Sequence, residues 1–315
     1  MTEIEMNNRL AIIDLGTNTF HLLLAEKLGD SFHITHRDRQ AVKIGKGGIN
    51  RNIIPSDGLE RAVKTLKLFK KKIDSLLIDT VFAFGTSALR NAENKEEVIA
   101  KIKSETGIDI TVISGDQEAE FIYLGVRSAV SLGREKSLIV DIGGGSVEFI
   151  IGDEENIYWK KSIEIGAQRL LEQFHKSDPI TAAEIDELDN HFTNALAPLF
   201  EAIRAYQPRT LVGSSGTFDT LSDIFCLQEN IFKNDDDRET PLSLKGFEMI
   251  YTELIQKNRH ERLAIPGMIE MRVDMIVVAC CLIRFILRHH VFTDIRVSSY
   301  SLKEGALVQV SKTIS

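Results

Sequence analysis

The chain has 315 residues, enough for about two ordinary domains, and its 43% hydrophobic and 27% charged content excludes global disorder. A formal net charge of -8 argues against a general DNA or RNA binder, while leaving room for a local basic site that takes an anionic substrate. Cys226, Cys280 and Cys281 show no Cys-x-x-Cys spacing and read as reduced core thiols of a cytoplasmic protein. The start, Met1 to Arg9, is polar rather than leader-like, and the apolar segment Met275 to Leu287 contains Arg284 and is too short to span a membrane.

In chain order, strands are expected at Leu10–Leu15, Thr19–Glu26 and Phe32–Ile44, a helix at Ser56–Ile73 and a strand at Thr80–Gly85. Helices follow at Lys95–Thr106 and Gln117–Ser131. The second half then offers strands at Ser137–Ile142, Val147–Gly152, Tyr158–Ile165 and Arg209–Val212. Its helices are expected at Ala182–Tyr206, Leu242–Gln256 and Arg272–His290, with an acidic loop at Glu229–Thr240 and a last helix near Leu302–Lys312. Strands followed by helices in each half predict mixed sheets with helices packed on them, an α/β fold.

The halves are copies. Displaced by 127 residues, Leu10–Leu24 overlies Ser137–Ile151, so that Asp14 meets Asp141, Gly16 meets Gly143 and Thr19 meets Ser146. Thr80–Arg90 matches Thr210–Thr220 in kind, with Gly85 and Gly213 paired at an offset of 128. Each first match reads as strand, Asp-x-Gly turn, strand, a hairpin whose glycine is expected at positive φ.

Gly16, Thr17, Asn18 and Thr19 in one turn, and Gly143, Gly144, Gly145 and Ser146 in the other, offer clustered backbone amides and hydroxyls for phosphate oxygens. A single turn of this kind is as readily an ordinary hairpin; the duplication favours function. The aspartate before each turn, Asp14 or Asp141, suits a hydrated Mg²⁺, with Mn²⁺ as a substitute, if the two turns face each other. Glu148, seven residues after Asp141, has the parity to join them, whereas its duplicate is His21. Thr86, Ser87 and Arg90 lie where a strand turns into a helix, and Arg90 offers a bidentate fork to phosphate. The basic stretch His33–Arg51 contains Lys43 and Lys46 in a glycine-rich loop, read either as a guarded edge strand or as a cradle for inner phosphates of a chain.

The turns Asp14–Thr19 and Asp141–Ser146 resemble the phosphate loops of the actin, heat-shock chaperone and sugar-kinase superfamily. The wider pattern is similar to the exopolyphosphatase/guanosine-pentaphosphate phosphohydrolase (Ppx/GppA) family within it. Gly85–Arg90, Ile113–Ala119, Asp141–Glu148, Gly166–Leu170, Gly213–Thr217, Arg272–Asp274 and Leu302–Gly305 carry the likeness. It implies two duplicated actin-like (ribonuclease H-like) domains with an interdomain cleft, residues 1–125 plus 301–315 and residues 126–300. It further implies Glu118 as general base, with Gly213, Ser214 and Ser215 lining the site. Glu118 alone would equally read as a first-turn acid favoured by the helix dipole. Gln117 and Lys43 stand where the family usually has Glu and Arg, which removes one carboxylate near the site and keeps a cation without its fork.

The resemblance points to terminal phosphate release from polyphosphate, or to pppGpp hydrolysis. Longer members add a helical HD-type domain that this length does not accommodate. A superfamily kinase or a non-catalytic sensor are the alternatives of other classes, and a C₂ homodimer is the default assembly.

Overall fold

The computed structural model describes residues 8–29, 31–234 and 236–314. The polar start at residues 1–7 and Asp235 of the acidic loop lie outside these. The chain divides into two compact units, Met1–Leu124 with Leu302–Ser315, and Gly125–Ser301.

The first unit is built on a five-stranded sheet. β1 (Arg9–Leu15), β2 (Thr19–Leu28) and β3 (Ser31–Ala41) form an antiparallel meander, and β4 (Thr80–Gly85) and β5 (Ile110–Val112) extend it in parallel beside β1, in the order β3-β2-β1-β4-β5. β1 is almost wholly buried, as expected of a central strand covered on both faces. β3 alternates between half-buried and exposed residues and lies at the sheet edge, its arginines Arg37 and Arg39 outward. α1 (Ser56–Ser75) buries Gly58, Ala62, Leu66, Phe69 and Ile73, one helical stripe read directly from the sequence period. α2 (Ser87–Asn91), α3 (Lys95–Thr106) and α4 (Gly115–Ala129) follow, and the unit boundary falls within α4. The last helix, Leu302–Ile314, packs on β1 and β3.

The second unit repeats this plan. β6 (Ser137–Ile142), β7 (Val147–Gly152) and β8 (Ile157–Ile163) form the meander, β9 (Thr210–Ser214) and β11 (Asp294–Ser298) run parallel to β6, and the two-residue β10 (Glu239–Thr240) adds an antiparallel edge. Every residue of β6 and β7 is buried. The two sheets share strand order and direction apart from β10, which is the actin-like plan.

Four differences from the sequence expectation have physical causes. The long helix at Ala182–Tyr206 is two, α6 (Ala182–Ala195) and α7 (Ala197–Tyr206), because Pro198 has no amide to bond the Asn194 carbonyl. β3 stops at Ala41 rather than Ile44, since Lys43 turns left-handed at φ 49°. The acidic loop closes into β10, paired to β11. The short elements β5, β11, the helix Ala167–Phe174 (α5) and the helix Arg259–Leu263 carry too little periodicity to be read alone. No helix among the described residues is long and apolar enough to cross a membrane. The longest apolar helix, Met275–His289, instead forms the middle of the second core, eleven of its residues being buried.

One carboxylate stitches the α5–α6 connection. Glu184 accepts from the Lys176, Ser177 and Thr181 amides at 2.7 Å each and from the Thr181 hydroxyl at 2.8 Å. Burial by itself pushes its pKa up, but these donors outweigh burial and hold it at about 2, below the ordinary 4.5. A depressed folded pKa means the stabilisation is complete above the ordinary value and is lost as pH falls toward about 2. Glu184→Gln is therefore expected to lower Tm at neutral pH by about 3–8 °C. The wild-type decline in Tm between about pH 5 and pH 3 should flatten in the variant. Parallel Tm-versus-pH curves from scanning calorimetry would remove Glu184 as the cause.

Candidate active site

The first turn closes through the Gly16 amide, which donates to the Thr19 carbonyl at 3.1 Å. Gly143 repeats this on Ser146 at 3.1 Å. Neither glycine has the positive φ expected from sequence. Close approach is the reason for both: a Cβ on Gly16 would stand 2.8 Å from the Thr19 oxygen, and one on Gly143 would stand 3.0 Å from that of Ser146.

Both turns are held by the chain that returns after the third strand of the meander. In the first unit, the Val42 and Lys43 amides each donate to the Asn18 carbonyl at 2.9 Å, and the Gly45 amide reaches Thr17 at 3.4 Å. In the second, the Ala167, Gln168 and Gly166 amides take the Gly143, Gly144 and Gly145 carbonyls at 2.9, 2.9 and 3.1 Å. Arg169 Nε adds a bond to Gly145 at 2.9 Å. In a trans peptide the N–H points opposite to its C=O. With three successive carbonyls drawn toward α5, the Gly144, Gly145 and Ser146 amides are turned to the other side, a concavity suited to phosphate oxygens. Gly166 makes this possible, since a Cβ there would lie 2.4 Å from the Gly144 and Gly145 carbonyl carbons.

Asp141 and Glu148 are direct partners across β6 and β7, so both carboxylates stand on one face of the sheet. The Ser214 hydroxyl donates to Asp141 Oδ2 at 2.6 Å, and the Ser146 and Ser162 hydroxyls donate to Glu148 Oε1 at 2.7 and 2.6 Å. Ser146 and Ser214, expected to contact phosphate, thus orient the two acids. Asp14 is paired with His21 in the matching position of the first sheet. No group of three His, Cys, Asp or Glu side chains among the described residues forms a metal cage. The Asp141–Glu148 pair still fits Mg²⁺, which uses one or two carboxylates and leaves its other positions to water and phosphate.

Glu118 lies in the first turn of α4, and Arg90 Nη1 donates to its Oε2 at 2.6 Å and to the Ile113 carbonyl at 3.3 Å. The side chains are only 8% and 16% exposed. Removing either would take a charge partner from a buried group. Gln117 accepts from the Ser114 amide at 3.0 Å while the Ser114 hydroxyl accepts from the Gln117 amide at 3.2 Å. In this capping box a glutamine oxygen serves as well as a carboxylate. Thr86 spends both its amide and its hydroxyl on the Leu15 carbonyl, at 3.3 and 3.2 Å, tying the β4–α2 turn to the end of β1. The Ser87 hydroxyl lies 3.4 Å from the Asn91 amide nitrogen.

Lys43 and Lys46 line an open hollow of about 540 Å³ together with Arg51 and Arg61, opposed by the single acid Asp57. In the second unit, Gly213 clears the Phe218 ring, Ser215 is left-handed at φ 69°, and Gly216 lies against the Arg272 guanidinium. Arg61, Ser162 and Arg169 were not singled out by sequence reasoning, and Arg272 was noted there only as part of the family's Arg-x-Asp motif on a helix read mainly as core. Arg169 and Arg272 sit inside motifs that carry the family likeness, so a signal existed for them; Ser162 and Arg61 act across strands or loops and leave none.

The sequence profile of the Ppx/GppA phosphatase family matches residues 23–313. An exopolyphosphatase from Cytophaga hutchinsonii is 44% identical and superposes with a TM-score of 0.94, over 98% of this chain and 99% of that one. A Ppx/GppA family member from Aquifex aeolicus is 25% identical with a TM-score of 0.78, over 97% and 98%. The guanosine-5'-triphosphate,3'-diphosphate pyrophosphatase of Photobacterium profundum is 30% identical across 94% of this chain, which spans 57% of that protein's length.

Gly166→Ala should push α5 off the second turn. Titration calorimetry with tripolyphosphate is expected to show binding weakened about tenfold or more, equivalent to about 1.4 kcal/mol. Unaltered affinity would mean that α5 does not shape the turn.

Proposed function

Because the chain belongs to the Ppx/GppA phosphatase family, we propose that it is an exopolyphosphatase that releases the terminal phosphate of linear inorganic polyphosphate. The observation that carries this reading is the Arg90–Glu118 pair, a buried carboxylate held in one orientation at the start of α4. The 44% identity to an exopolyphosphatase of nearly equal extent supports it.

In this reading Glu118 accepts a proton from water as the water oxygen bonds to the terminal phosphorus. The anhydride P–O bond breaks in line, and the products are orthophosphate and a chain one phosphate shorter. Arg90 fixes the carboxylate and keeps it from turning away. Amides of the Gly16–Thr19 and Gly143–Ser146 turns hold phosphoryl oxygens and stabilise their charge without reorganising. Asp141 and Glu148 would hold Mg²⁺, with Asp14 as a further candidate and Mn²⁺ as a substitute. Such an ion, when bound, neutralises charge on the phosphoryl oxygens. Ser214 supports Asp141 and, with Gly213 and Ser215, lines the phosphate site, and the cationic hollow with Lys43 and Lys46 takes inner phosphates of the chain. A cytoplasmic homodimer without DNA or membrane partners completes the reading.

Hydrolysis of pppGpp to ppGpp is the second reading, favoured by the likeness to the Photobacterium protein. Phosphate release should occur from polyphosphate without any acceptor and stop with EDTA. Release that depends on an acceptor would indicate a kinase, and faster turnover of pppGpp than of short or long polyphosphate would select the second reading. Glu118→Gln is expected to bind tripolyphosphate normally while turning over about 10²-fold more slowly or worse. An unchanged rate would remove Glu118 from the mechanism.

A further inference from the structure

The first turn lacks an α5 of its own, yet its Asn18 carbonyl is captured by two amides at 2.9 Å each. The donors are the Val42 and Lys43 amides, with Lys43 left-handed at φ 49° and its carbonyl accepting from the Lys46 amide at 3.2 Å. A side chain rarely adopts that conformation unless its surroundings impose it. Those surroundings are the first two turns of α1. Gly58 comes so close that a Cβ there would stand 2.5 Å from the Ile44 oxygen. Arg61, one helical turn on, spreads its guanidinium over the same segment: Nε donates to the Val42 carbonyl at 2.7 Å and Nη2 to the Lys43 carbonyl at 2.9 Å. Nη1 is steadied by Asp57 at 2.7 Å.

Arg61 therefore holds the Val42 carbonyl and shares the Lys43 carbonyl with the Lys46 amide, while the Val42 and Lys43 amides are fixed on Asn18. We propose that Arg61 is a positioning residue for the first phosphate turn, acting through the Val42–Lys43 backbone. It does for the Gly16–Thr19 turn what Arg169 does for the Gly143–Ser146 turn, from a different helix and with a different contact. The catalytic part of this inference rests on the polyphosphatase reading; the clamp itself does not.

The role depends on a planar fork spanning two carbonyls, which an ammonium does not reproduce. Arg61→Lys and Arg61→Gln are both expected to lower kcat/KM on tripolyphosphate by about tenfold, the scale of a small misplacement of a binding group. If Arg61 served as a bare positive charge in the hollow, Arg61→Lys would match the wild type while Arg61→Gln fell, and the proposal would be overturned. Hydrogen exchange supplies a readout that needs no turnover: peptides covering residues 42–45 should exchange faster in Arg61→Lys. Unchanged exchange overturns the clamp. A wild-type protein that released no phosphate from any phosphoanhydride would defeat the functional reading, and exchange would then decide the clamp alone.

Discussion

The Gly143, Gly144 and Gly145 carbonyls are each taken by an amide of the segment that leads into α5, and most of the candidate site follows from that capture. A short glycine-rich turn has many accessible conformations, and fixing it has an entropic cost of about 1–2 kcal/mol per residue. Here that ordering is accomplished during folding by bonds on the carbonyl side. The amide side is left pre-arranged, as the phosphate-holding role proposed for it requires. The first turn reaches the same state by another route, with Val42, Lys43 and Gly45 as donors.

Close backbone approach explains the glycines better than handedness does. Gly16 and Gly143 admit the carbonyl of the residue that closes each turn, and Gly166 admits the second turn itself. The sites are crowded by main chain, which no rotamer change relieves. Alanine at these positions would displace the turn.

Burying acids in such a frame requires donors. Glu148, 1% exposed, has two hydroxyls on one oxygen, Asp141 has the Ser214 hydroxyl, and Glu118 has a guanidinium. Without these contacts each carboxylate would meet a large desolvation penalty and would prefer to be neutral. The duplicated units have diverged. The second keeps an acid opposite its turn aspartate, where the first has His21, and the first places Arg90 after its β4–α2 turn and Glu118 after its β5–α4 turn.

The sequence by itself determined the duplication, the central strands, the two Asp-x-Gly turns, the family, and the identity of Glu118 and Asp141 as candidates. The duplication, strands and turns are properties of local period and residue spacing, while the family and Glu118 follow from the resemblance of whole motifs; all of these survive in one dimension. Tertiary structure decided why the glycines are required, that α6 and α7 are separate helices, and that Ser146, Ser162 and Ser214 attend carboxylates. It also decided that Arg61 and Arg169 hold the turns. Each of those depends on a backbone or side-chain contact between distant segments, such as Ser162 on Glu148 or Arg61 on Lys43. Such a contact is fixed by how strands pair and helices pack, not by the pattern within either segment.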